Sequence, residues 1–174
     1  MHFRRLAYLA LTIALGLPAG YLLHESYHHS RRDPAREIFS MFEERCLPKL
    51  YGAPEDHQGL IEAPMSLHYT DFIDPLSRFS LAENSNDYSV EDLFSPIDAK
   101  QARELAALAR ARIPELIGLA ESHDIDPIGD MAIGWMQGEP GSPERWGVTL
   151  FRFGPGMLSL SLHLPAELRP QSSL

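Results

Sequence analysis

The chain has 174 residues, a formal net charge of −9 and one cysteine, Cys46. That cysteine count excludes an intramolecular disulfide, a cysteine-based zinc site, C-x-x-C-H haem attachment and thioredoxin-like chemistry. Residues 37–174 hold 10 Lys and Arg against 22 Asp and Glu, a net of −12, and a surface that negative repels phosphate backbones, so nucleic acid is disfavoured as a partner.

Residues 1–5 form a basic leader containing Arg4 and Arg5, followed by an uncharged apolar run from Leu6 to Leu23. As a helix, eighteen residues span about 27 Å, enough to cross a thin bilayer core. Cleavage after Ala19 or Gly20 would place Leu17 or Pro18 at the minus-three position, and neither resembles a small-residue signal site. The expectation is an uncleaved, single-pass signal anchor over 6–23 with the rest of the chain on the extracytoplasmic side; cleavage would make the protein secreted. The charge asymmetry says little about orientation, because Arg31, Arg32 and Arg36 after the run balance the amine, Arg4 and Arg5 before it. Residues 24–36 read as a polar juxtamembrane flank.

That flank contains His24-Glu25-Ser26-Tyr27-His28, a literal H-E-x-x-H. On a helix this spacing sets two imidazoles on one face for zinc, with the glutamate as general base. His24, His28 and His29 are therefore the candidate metal ligands, and Glu25 the candidate catalytic residue. Against this stand a missing third ligand signature, a solvated position beside the anchor, and eight histidines in the chain, which raise the odds of a chance match.

Asp33-Pro34 is a helix opening, with a capping carboxylate before a proline at the first helical position. Ile38, Phe39, Phe42 and Cys46 follow at three- and four-residue spacing, with Cys46 as a small apolar residue of the stripe, and Pro48 is expected to end the helix. Residues 49–63 read as a loop with a short helical turn. Met65, Leu67 and Tyr69 alternate with polar residues and predict a half-buried strand; Phe79 and Leu81 predict a second. Glu83 to Asp87 is turn chemistry. Ser95-Pro96 predicts the start of a long helix running to Ser122, kinked or divided at Pro114.

The last third reads as three strands, Met131–Met136, Trp146–Phe153 and Met157–Leu164. In the third, Leu158, Leu160, Leu162 and Leu164 alternate with Ser159, Ser161 and His163, predicting one buried and one wet face. The middle run carries apolar residues on both sides and is expected to be buried on both. Trp135 and Trp146 read as core, and His68 and His163 as solvated strand residues that would share a site only if their strands were neighbours. Residues 166–174 are expected to be a frayed tail.

These elements predict an α+β fold: an N-terminal membrane helix, then a two-layer domain over 37–165 whose C-terminal antiparallel meander packs on a long, Pro-kinked helix. The functional expectation is a membrane-anchored extracytoplasmic protein, a non-enzymatic accessory subunit or binding module of a larger membrane complex, with no cofactor. The alternative is a zinc-dependent hydrolase built on residues 24–28.

Overall fold

The computed structural model describes residues 32–64, 70–84 and 86–169. Pro34–Leu174 forms one compact unit. The apolar run from Leu6 to Leu23 lies outside the described residues, among which no helix is long and apolar enough to cross a membrane.

Helix α1 (Pro34–Met41) starts at the expected proline and buries Ala35, Ile38 and Phe39. Pro48 does not end the helical path. A π-turn over Phe42–Cys46, in which Leu47 N–H reaches back to Phe42 O, is followed by a 3-10 turn over Leu47–Tyr51. Proline has no N–H to give a regular ladder, and the change of winding at this point admits it at the first turn of the new segment. Gly52, at φ +72°, closes the path in the left-handed conformation.

Among the described residues, seven antiparallel strands form one sheet in the order β1-β2-β3-β4-β7-β6-β5: β1 (Ile61–Pro64), β2 (Thr70–Ile73), β3 (Ser80–Glu83), β4 (Asp87–Glu91), β5 (Met131–Gln137), β6 (Trp146–Arg152) and β7 (Leu158–His163). The C-terminal meander is as predicted, and the pairing of β4 with β7 joins it to a second, N-terminal meander. Most of the strand expected from Met65 falls on 65–69, outside the described residues; β1 and β2 flank it. Strand β1 lies in a segment that reads as loop, and β4 starts at Asp87, the last residue of the expected turn, and continues through residues to which the sequence pattern assigns no element.

Helix α2 spans Ala99–Ile117. Its cap is Asp98, which accepts from Lys100 N and Gln101 N while the Gln101 side chain accepts from Asp98 N–H. The expected Ser95-Pro96 start is displaced by three residues because Asp92, fully buried, accepts from Ile97 N–H and holds that stretch in a turn. Pro114 kinks the helix without dividing it. Gly118, at φ +73°, stops it before the expected Ser122.

One face of the sheet carries the core. Leu81, Val90, Leu160, Leu150 and Ile133 are in register across five strands, and all are buried with Ala102, Leu105, Ala109 and Ile113 of α2 and with Ile38, Phe39, Phe42 and Cys46. The opposite face carries Asp71, Ser89, Ser161 and Thr149 in one cross-strand row. On β7 it is drier than predicted: Ser161 is 9% exposed. Burial raises the carboxyls of both Asp71 and Glu91 on this face. In β6 the both-faces-buried expectation holds for Val148, Thr149 and Leu150 and ends at Phe153, which is exposed. The chain end is held further than a frayed tail allows: Ala166–Leu168 form a 3-10 turn, and Arg169 donates to Leu164 O and Arg145 O.

Candidate functional site

Chemistry-bearing side chains gather where the turns after α1 meet the end of the β3–β4 hairpin. Arg45, at the end of the π-turn, donates to the carbonyls of Asp56 and Gln58 at 3.0 and 3.1 Å and pairs with the Asp56 carboxylate. This clamp straddles His57. Gln58 N–H holds the exposed Asp56 carboxyl below its usual range, outweighing burial, and Arg45 adds to the effect. A tight turn with Gly59 at φ +82°, closed by Leu60 N–H to His57 O, then leads into β1.

The His57 ring stacks on Phe72 of β2 at 3.6 Å between centroids and 7° between planes, and its Nε2 lies 2.8 Å from Glu83 Oε2. Glu83 is the last residue of β3 and faces Tyr88 across the hairpin. Asn84 makes that hairpin turn by accepting from Asn86 N–H and Asp87 N–H. One oxygen of Glu83, Oε1, is buried without a hydrogen-bond partner among the described residues. Glu55, exposed, completes a triad with His57 and Glu83 whose ligand atoms all lie within 4.8 Å of one another.

Lys49, brought in by the 3-10 turn, is buried with its Nζ lacking an acceptor among the described residues, 5.0 Å from the Tyr88 ring centroid. The charges are felt mutually. Burial pushes the Cys46 thiol far up, with Glu83 adding and Lys49 opposing. Burial, then Glu83 and Glu55, raise the Tyr88 phenol. Cys46 is thus an inert thiol packed in the core, as the sequence suggested.

A second constellation sits on the other sheet face. His163 Nδ1 lies 2.6 Å from Asp87 Oδ1, and its Nε2 2.8 Å from Thr149 Oγ1. The order of contacts imitates a hydroxyl-imidazole-carboxylate triad. Thr149 is nevertheless a buried residue of a central strand, and Gly134 beside it is roofed by Ile125, whose Cδ1 lies 2.6 Å from where a Cβ would stand. A substrate carbonyl has no approach to that hydroxyl, so the three groups stitch β4, β7 and β6 together.

Against the triad cluster's own helix path lies an apolar groove of about 350 Å³, lined by Leu47, Pro48, Leu50, Tyr51, Leu116 and Ile117 with Glu43 at its edge. It continues over Trp146 and Pro165. Tyr51 is 79% exposed there. Trp146, expected in the core, is only half-buried and forms part of this wall; Trp135 is fully buried, as expected.

Comparison with protein-family models, with curated proteins and with solved structures finds no match.

Glu25, His24, His28 and His29 lie outside the described residues, as does His68. His163 takes its partners from β4 and β6. Sequence reasoning passed over Lys49, Glu55, His57 and Glu83 because they are spread over 35 positions in loop, turn and strand. The only signal was His57 directly after two acids, Glu55 and Asp56, in a stretch with no periodicity to say which way its side chains point.

Proposed function

We propose that this protein is a membrane-tethered extracytoplasmic binding module, a non-enzymatic accessory subunit of a membrane complex, anchored by residues 6–23. The observation that carries this reading is the apolar groove between the 3-10 turn and the C-terminal end of α2, with Tyr51, Leu50, Leu116 and Ile117 on its walls. Aromatic and aliphatic anchors in a concave, water-shedding patch are what partner recognition uses. The domain around it is strongly acidic, so the fitting partner is an apolar segment of a membrane protein flanked by Lys or Arg, drawn in by the field and held by the groove.

The test is purification of the full chain from gently solubilised membranes, with a photo-crosslinking residue at Tyr51. A specific adduct that disappears in Ile117→Asp, with the melting curve of that variant unchanged, supports the reading. Crosslinking that ignores Ile117→Asp, or yields no adduct, overturns it.

A further inference from the structure

We propose that Glu55, His57 and Glu83 form a binding site for a divalent transition-metal ion of the zinc class, within the folded domain and separate from the histidines of residues 24–29. Two carboxylates and one imidazole are a donor set that zinc accepts, with a fourth position left open. Ligands about 2.0–2.2 Å from one ion stand no more than about 4.4 Å apart, and the three groups here already lie within 4.8 Å. The adjustment falls on Glu55, the exposed member, whose rotamers are free.

The other two ligands are held in place. Phe72 fixes the plane of the His57 ring, and the Arg45 clamp fixes the backbone on either side of it. Glu83 is about nine-tenths buried, at 11% side-chain exposure, and while its Oε2 meets His57, its Oε1 has no partner among the described residues. A buried carboxylate oxygen with nothing to accept is costly, and a cation supplies what is missing. The competing account is the direct pair of His57 Nε2 and Glu83 Oε2 at 2.8 Å, with a water on Oε1 and no ion bound.

Calorimetric titration of zinc chloride into the full chain, detergent-solubilised and free of any affinity tag, separates the two. His24→Ala, His28→Ala and His29→Ala are introduced first so that the leader histidines do not contribute. The expected result is saturable binding of one equivalent, weakened at least about tenfold by His57→Ala and by Glu55→Gln. The metal-free melting curve of Glu55→Gln should match that of its parent because Glu55 is exposed. X-ray absorption should show nitrogen and oxygen neighbours without sulfur. Absent or unsaturable binding, binding indifferent to Glu55→Gln and His57→Ala, or a sulfur neighbour each overturns the proposal.

Discussion

Single side chains on β7 show how much two adjacent residues differ. Leu160 is fully enclosed between Val90 and Leu150, so Leu160→Ala should cost about 2–5 kcal/mol through lost burial and a residual cavity. Ser161 is also mostly covered, but it is small and its hydroxyl bonds Ser159, which has access to water. Ser161→Ala should cost only about 0.5–1.5 kcal/mol, the net value of one hydrogen bond; urea unfolding of the two variants measures both. Asp87 gives the residue-scale pH effect. Burial alone would raise its carboxyl, but the hydrogen bond and charge of His163, with Asn84 and Arg169, hold it below the usual carboxylate range. A lowered folded pKa contributes stability that is full above the unfolded value, about 3.9, and is lost as pH falls through the folded value. His163→Ala should therefore lower stability near neutral pH and make its fall below about pH 4 shallower, so that the curves of variant and parent converge in acid, read from a pH-stability curve.

Elements are joined at Asp92 rather than by apolar contact alone. Its carboxylate accepts from Ile97 N–H before α2 and from Gly156 N–H and Leu158 N–H at the β6–β7 connection, at 3.0, 3.1 and 2.8 Å. Asp92→Ala strips three donors at once, two of them in buried surroundings. At about 1–3 kcal/mol for each buried group left unsatisfied, a loss of about 3 kcal/mol or more is expected. Asp92→Asn, which keeps one acceptor oxygen, should lose less, and thermal unfolding of the pair checks the order. Gly147 is a second joint: at φ +144° a Cβ would lie 2.1 Å from Trp135 O. Gly147→Ala should break the β5–β6 ladder locally, seen as faster amide exchange in Met131–Gln137 than in β4.

At the scale of the whole molecule, Pro34–Leu174 is a unit with its own core. A polypeptide beginning at Asp33 should be soluble and melt in one cooperative transition; a broad, non-cooperative melt of that piece would show that the leader contributes to the fold. The anchor reading has its own check. Intact mass of protein extracted from membranes should include Met1 or the residue after it, and a mature chain starting near Gly20 or Tyr21 would remove the tether from the proposed function.

Period and punctuation made part of this protein legible without coordinates. Leu158 to Leu164 must share a face because a strand repeats every two residues, the Gly154-Pro155-Gly156 link demands a tight return, and Asp33-Pro34 opens a helix by local backbone rules alone. Asp87–Glu91 keeps the same period, with Tyr88 and Val90 buried, but so short a run marks no strand by itself, and its place in the sheet comes from pairing with β3 and β7. Helix α2 began at Asp98 rather than Ser95 because Asp92, bonded to a connection 64 residues away, claimed the intervening backbone. The site was the least legible part. His57 faces Glu83 only because Arg45 clamps one loop and Phe72 stacks from a strand the sequence does not mark as a neighbour. Local spacing governs residues a few positions apart, and the partners of a buried charge are chosen by the three-dimensional packing that brings distant segments together.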